Sequence, residues 1–494
     1  MNRKIVFRML GFVLLIEAVF LLVPMAVSFY YGEMDSVRAF AVTILLVAVA
    51  GGALVWKKPD NTVMYAREGF LIVSFAWILL SLFGALPFVL SGAIPSYVDA
   101  LFETVSGFTT TGASILSDVE ALPKGILFWR SFTHWIGGMG VLVFMLAVLP
   151  MSNQRTMHVM RAEVPGPTVG KLVPKMKQTA ILLYVIYSIM TVVLIVLLVF
   201  GRMPLFDSIL TAFGTAGTGG FGVKNNSIAY YDSAYIEVVV GIFMLLFGVN
   251  FNVYFLLLMK QFRQALKCEE MRWYGCIALA ATLLVACNIW PQSESFGDAL
   301  LDSFFQVSSI ITTTGFSTVD FNLWPTFSKI VVFLLMILGA CGGSTGGGMK
   351  ISRLMVVCKK IRYDVVKMIH PRFVRSIRME GKPVEEKQVS RVQIFCLFYF
   401  LIILLMTLLV SLDGFDFETT LTAVVSCISN IGPGLGEVGP MGNFGAFSDG
   451  AKLLLSLTML LGRLEIFPLV LICMPGLYTH SYKNESGRIK NAAD

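Results

Sequence analysis

The sequence predicts an all-α integral membrane protein whose single chain folds as four helix–pore-loop–helix repeats around a central pore. Three observations lead there. Apolar runs long enough to cross a bilayer recur along the chain. A short segment, too short to cross one, is repeated four times. Basic residues concentrate on one side of the spans.

Of the 494 residues, 56% are hydrophobic and only 14% charged, against about 25% charged in a soluble domain. Mean hydropathy is +0.78. Among the apolar runs are residues 5–30, 40–56, 70–90, 125–149, 180–200, 236–259, 394–410 and 453–474, in the range of the ~20 residues that span a bilayer. The start, "MNRKIVFRML", is basic like a signal peptide. The run behind it is longer than the roughly 7–15 residues of a signal core, which predicts an uncleaved first helix with a cytoplasmic N-terminus. Alternating the loops across the spans leaves only Arg38, Lys124, Arg130, Arg202, Lys224, Lys329 and Lys452 on the far side, with Arg463 inside a span. The remaining basic residues lie on the side of the N-terminus, as the positive-inside rule requires.

The fourfold repeat emerges when four segments are aligned on their last glycine. They read "DALFETVSGFTTTG", "DSILTAFGTAGTGG", "DSFFQVSSIITTTG" and "TTLTAVVSCISNIG", ending at Gly112, Gly220, Gly315 and Gly432. Three begin with Asp thirteen residues before the glycine (Asp99, Asp207, Asp302). Each follows a spanning run and precedes another. About ten helix-compatible residues, at ~1.5 Å each, reach roughly half of the ~30 Å core. An initial Asp suits a helix N-cap, and a glycine-rich end suits a helix stop. Each unit therefore reads as membrane helix, short re-entrant helix, non-helical strand, membrane helix. Non-helical backbone at membrane depth is tolerated where protein buries it or where it lines a watery cavity. Four such units around one axis make a pore.

The ends of these segments suit a dehydrated monovalent cation. Stacked backbone carbonyls replace the hydration shell and still release the ion. Glycine permits the backbone geometry that aims successive carbonyls at one axis, and threonine hydroxyls add ligands or brace the strand. The candidate quartets are Thr109-Thr110-Thr111-Gly112, Gly217-Thr218-Gly219-Gly220, Thr312-Thr313-Thr314-Gly315 and Ser429-Asn430-Ile431-Gly432. The four last glycines lead the candidates. Enzyme chemistry has no comparable support: eight cysteines form no CxxC pair, four histidines form no HExxH pair, and no acid/base or nucleophile set converges.

The stretches "SGFTTTGAS", "GTGGFG", "TTTGFST", "SNIGPGLGEVGP", "GGSTGGGMKISR" and "LGRLEIFPL" resemble the Trk/Ktr/HKT superfamily of potassium transporters, most closely the TrkH/TrkG membrane subunit. The resemblance reaches to about Tyr482. It implies a single-chain pseudo-tetramer with two additional N-terminal helices: residues 1–60 for that pair, 66–155, 175–260, 270–370 and 390–480 for the pore repeats, and 481–494 for a cytoplasmic tail. It also implies the bacterial inner membrane, a homodimer, membrane lipid around it and a cytoplasmic TrkA-like (RCK) nucleotide-binding regulator. No nucleic acid is called for. Potassium ion is the implied cargo, held by backbone carbonyls. No covalently bound cofactor is implied, and nucleotide enters only through the regulator. Glycine at the key position of all four repeats goes with potassium preference in this family. The second quartet departs from the Thr-Thr-Thr-Gly pattern, so a sodium-permeable or poorly selective relative stays open, as does a proton- or sodium-coupled symporter.

The third repeat ends in an interrupted helix. About fourteen residues, 327–340, precede "CGGSTGGGMK" at 341–350, and five glycines in ten residues do not hold a helix interior. A phosphate-binding P-loop fails because Met349 separates Gly348 from Lys350. A mobile constriction made of Gly342, Gly343, Ser344, Thr345, Gly346, Gly347, Gly348 and Lys350 fits, and the resemblance implies a gate here; a static packing kink is the alternative. Arg463, in the last apolar run, is an ionisable residue at membrane depth and so a functional candidate. It would oppose cations and pair with carbonyls of the 342–348 loop, or else snorkel or pair with Glu465. Glu17, Glu103, His134, Asn250 and Asn252 are expected to hydrogen-bond between helices. The basic block 350–391 either docks a soluble partner or anionic lipid, or only sets topology.

Overall fold

The computed structural model describes residues 2–56, 66–140, 176–372 and 376–472. Six helices are long and apolar enough to cross a membrane, or up to seven if a bent pair is counted as one span. Leu45, Val49, Ile189, Val192, Leu279, Leu404 and Leu408 point outward and are exposed, while threonines, serines and several charged side chains are buried. This distribution is that of a protein whose solvent is lipid.

The chain opens with two helices, Arg3–Tyr30 and Met34–Val55, packed along each other. Gly11 and Gly51 face one another: a Cβ on Gly11 would stand 2.7 Å from the Gly51 carbonyl. Small residues at such a crossing let two backbones approach closely, which is how helices associate in lipid. The first helix then packs on Ala66–Gly84 and Lys124–Met139.

Four short helices follow at the predicted positions: Tyr97–Phe108, Leu205–Gly217, Phe296–Ile311 and Phe417–Ser429. The first is flanked by Ala66–Gly84 and Lys124–Met139, the second by Met176–Phe200 and Ala234–Phe247, the third by Glu269–Ile289 and Thr326–Leu338, and the fourth by Glu386–Val410 and Asp449–Arg463. The third short helix is longer than expected, at 16 residues.

The expected aspartate N-caps are not observed. The caps are Ser96, Pro204, Ser295 and Asp416, with Ser96, Ser295 and Asp416 accepting an amide three residues on. Asp99 and Asp207 lie inside the first turn and Asp302 deeper still. Inside the helix they are free to bond elsewhere: Asp99 pairs with Lys452 at 2.6 Å, and Asp207 accepts from the Tyr231 hydroxyl at 2.8 Å. At Asp99 and Asp207 the shared Asp offset therefore marks points where a short helix is tied to a neighbour.

Two predicted continuous spans are broken. Run 236–259 divides into Ala234–Phe247 and Phe251–Leu258, which meet at 91°. Gly248 to Asn250 form the break, and the Asn250 carboxamide caps the lower helix through the Asn252 amide at 2.9 Å. Run 453–474 breaks after Arg463, where Glu465 and Ile466 both take positive φ, before the short helix Phe467–Ile472. The part of run 125–149 beyond residue 140 and the tail 481–494 lie outside the described residues. In the basic block, Ile351–Ile369 is a helix, followed by a two-stranded hairpin pairing Arg378 with Pro383 and Met379 with Lys382.

Candidate functional site

Each short helix ends in the same way. In the first, the Thr110 amide donates to Gly107 and the Thr111 amide to Ser106; Thr218 and Gly219, Thr313 and Thr314, and Asn430 and Ile431 repeat the pair of bonds. This is a Schellman ending, which places its central residue in the left-handed region. Accordingly Thr110, Thr218, Thr313 and Asn430 have φ of 57°, 54°, 59° and 56°. A β-branched residue there costs roughly 1–2 kcal/mol, so the strain is imposed by the surrounding structure. Two residues later Gly112, Gly220, Gly315 and Gly432 have φ of 79°, 74°, 86° and 104°. The second and fourth residues of every quartet thus turn the backbone alike.

These four strands close on one another. A Cβ on Gly112 would lie 2.0 Å from the Gly219 carbonyl oxygen, one on Gly220 1.9 Å from that of Thr314, and one on Gly315 2.0 Å from that of Ile431. The circuit is completed by Gly432, whose Cβ would lie 2.8 Å from the Thr111 oxygen. All four glycines line one funnel with about 130 Å³ of room for water. The second and third residues of each quartet are buried. Their carbonyl oxygens accept no hydrogen bond among the described residues, an arrangement that buried backbone otherwise avoids.

The threonine hydroxyls brace the strands. Thr109 donates to the Val105 carbonyl at 2.7 Å, and Thr111 shares a 2.7 Å bond with Thr109. Asn430 reaches across the closing seam to donate to Thr111 at 2.9 Å. Thr312 and Thr314 repeat the pattern at 2.8 Å, and Thr110 and Thr218 bond the carbonyls of Thr109 and Gly217. Ser426 Oγ donates to Gly432 at 2.6 Å.

Buried polar groups hold the first two units together. Glu103 accepts from Ser114 Oγ and the Ile115 amide on the outgoing strand. It also pairs with Arg130 at 2.6 Å. Arg130 donates to the Gly222 carbonyl at 3.0 Å and lies 3.6 Å above the Phe221 ring. His134 Nε2 accepts from the Phe221 amide at 3.3 Å, so Nδ1 carries the proton for the Gly107 carbonyl at 2.8 Å. Glu103 and His134 thus bond between elements as expected, and Asn250 caps its own helix. Glu17 does not: its carboxylate is buried without a hydrogen-bond partner among the described residues. It faces Gly84, whose Cβ would lie 3.3 Å from Glu17 Oε1.

Beneath the quartets lies the Gly-rich loop between Thr326–Leu338 and Ile351–Ile369. The Gly347 amide donates to Thr313 Oγ1 at 2.6 Å and the Gly348 amide to the Ser429 carbonyl at 2.9 Å. A Cβ on Gly346 would stand 2.8 Å from the Thr312 carbonyl. Gly342 and Gly343 form the descending limb and Ser344 bonds back to Cys341 at 2.7 Å. Lys350 is buried and its ammonium donates to the Gly346 carbonyl. Arg463 ends its helix beside the loop, donating to the Thr345 carbonyl at 3.0 Å and to the Gly137 and Gly138 carbonyls at the end of Lys124–Met139. Glu465 pairs instead with Arg353 at 2.5 Å.

In the sequence Arg130 stands out only as a topology charge, and Glu270 does not stand out. Arg130 carried a signal, since it sits inside the apolar run 125–149 just as Arg463 sits inside its own. Glu270 carried none, because an acidic pair opening a helix is commonplace.

Known proteins match this chain over nearly its whole length. It is 35% identical over 485 residues to the Trk system potassium uptake protein TrkH of Escherichia coli (strain K12), covering 96% of this chain and 99% of that protein. It is 33% identical over 473 residues to TrkG of the same organism, covering 95% and 97%. The crystal structure of the potassium transporter TrkH from Vibrio parahaemolyticus superposes with a TM-score of 0.87 at 31% identity, covering 97% of this chain and all of that one. The family model described as TrkH, cation transport protein, matches residues 35–477, and on these grounds the chain belongs to the TrkH family of cation transport proteins.

Proposed function

We propose that this protein is the membrane subunit of a Trk system and takes up potassium through a carbonyl-lined selectivity filter. One observation carries the reading: the buried, unpartnered carbonyls of four strands whose glycines close a circuit. Such oxygens are costly unless something polar fills the ring, and a partly dehydrated cation satisfies several at once. The four helix–loop–helix units act as a pseudo-tetramer, with the N-terminal helix pair packed at its side. Ions enter from the funnel, pass Thr109–Gly112, Gly217–Gly220, Thr312–Gly315 and Ser429–Gly432, and meet the 342–348 loop.

That loop is the gate. Its amides bond Thr313 and Ser429, and Arg463 fixes Thr345 while setting a positive charge on the exit path. In the cell the subunit works as a homodimer in the bacterial inner membrane, with cytoplasmic termini. A TrkA-like nucleotide-binding regulator on the cytoplasmic face biases the loop. Transport is the family's activity, so the chain is read as a transporter and not an enzyme.

Growth on limiting potassium tests the assignment. The chain, expressed with a regulator in a cell lacking potassium uptake, restores growth. Purified protein in liposomes passes potassium in preference to sodium. Equal fluxes of the two ions would sink the selectivity claim, and strictly proton-coupled flux would favour a symporter.

A further inference from the structure

The Gly-rich loop is held by more than its contacts with the quartets. Glu270, the second residue of Glu269–Ile289, is buried. Its Oε1 accepts the Gly342 amide at 2.6 Å and the Ser352 amide at 3.1 Å. Gly342 begins the loop and Ser352 lies in the first turn of the helix after it, so one carboxylate oxygen grips both ends. The neck between them is paired along its length: Met349 donates to Ile337, Lys350 to Leu338 and Ile351 to Ala340.

The loop is also seated in the break of a different repeat. The Cys341 amide donates to the Gly248 carbonyl at 3.1 Å, and Thr345 Oγ1 donates to the Phe247 carbonyl at 3.2 Å. In return the Phe251 amide donates to the Gly343 carbonyl at 3.0 Å. Phe247 and Gly248 end the upper piece of the bent pair, and Phe251 begins the lower piece. The carbonyls that a helix break leaves without intrahelical partners are therefore filled by the loop.

We propose that Glu270 is a positioning residue for the loop, gripping both of its ends so that the tip rests against Thr313 and Ser429, with the break at Phe247–Phe251 as the seat. The proposal rests on reading the 342–348 loop as the gate. Glu270 acts through Gly342 and Ser352. Without it the neck loses the carboxylate that ties its two ends, and the tip leaves the quartets more often.

The test uses the full-length chain in liposomes without a regulator, as wild type, E270Q, E270A and a 342–348 deletion. Hydrogen bonds to a charged group are strong enough that E270A raises basal potassium flux by roughly tenfold or more. E270Q, whose amide oxygen still accepts both N–H groups without the charge, falls between E270A and wild type. The potassium-to-sodium ratio stays at the wild-type value in both. In a background with the other cysteines replaced by serine, Cys341, now fully buried, reacts faster with a thiol reagent in E270A.

Unchanged or lower flux in monodisperse E270Q and E270A, with the deletion raising flux, overturns the role given to Glu270 and leaves the gate standing. A deletion that leaves flux unchanged overturns the gate itself. A rise in flux with an altered ion ratio places Glu270's effect on the filter and also overturns the proposal.

Discussion

Replacing the four glycines proposed for the filter one at a time with alanine separates two costs that usually arrive together. Alanine at Gly112, Gly220, Gly315 or Gly432 meets a positive φ in every case, a shared strain of roughly 1–2 kcal/mol. The steric cost is not shared. To restore a 3.0 Å separation, the carbonyl of Gly219, Thr314 or Ile431 must recede by about 1.0 to 1.1 Å, whereas that of Thr111 must recede by about 0.2 Å. The displaced groups are the third-position oxygens, so in three variants a carbonyl proposed to coordinate the ion is driven off its place and in the fourth it barely moves. Potassium flux in liposomes should therefore fall at least about tenfold further in G112A, G220A and G315A than in G432A, equivalent to some 1.4 kcal/mol of added barrier. G432A should keep most of its preference for potassium over sodium. Equal losses in all four variants would show that backbone strain alone governs the filter. Near-wild-type flux in the first three would refute the assignment of these carbonyls as ligands.

Replacing Arg463 with alanine removes the charged donor from Thr345, a bond worth about 1.5–3 kcal/mol, and raises basal flux in the absence of a regulator; flux at or below wild type in folded protein counts against the gate. E103A strands the Arg130 guanidinium in a buried site and costs about 3–5 kcal/mol, read as a lower midpoint of thermal unfolding in detergent. At the funnel rim, the Asn225 side chain holds Asp118 below the usual carboxylate range, and Lys224 does the same for Glu120. Depressed carboxylates stabilise the folded form above their unfolded pKa of about 4 and lose that contribution only as pH falls through the lower folded value. Shifting external pH from about 7.5 to about 5.5 should thus leave the rim bonds Glu120–Lys224 and Asp118–Asn225 intact. A transition in circular dichroism or flux within that window that E120Q abolishes would contradict the assignment.

Much of this architecture could be read directly from residue order. Hydropathy marked most of the spans, and the shared Thr/Gly endings marked the four quartets, because both are local properties. What escaped reading depends on partners distant in the chain. The helix break at Gly248 is stable because the loop from residues 341–345 fills it, and nothing near residue 248 announces that loop. Asp99 looked like a cap because its offset from Gly112 suited one, yet Ser96 caps the helix and Asp99 answers Lys452, 353 residues away. The left-handed Thr110, Thr218 and Thr313 ran against conformational preference altogether. Only Asn430, an amide residue that tolerates such a φ, hinted at the turn all four share.

The closing contact between Asn430 and Thr111 joins the last quarter of the ring to the first across 319 positions of one continuous polypeptide. A ring assembled from four separate identical chains would change at all four corners with every mutation. Here one codon alters one corner. On the proposed reading, selectivity can consequently drift by quarter steps, and a single corner can acquire a movable stopper while the other three keep the ion's cage intact.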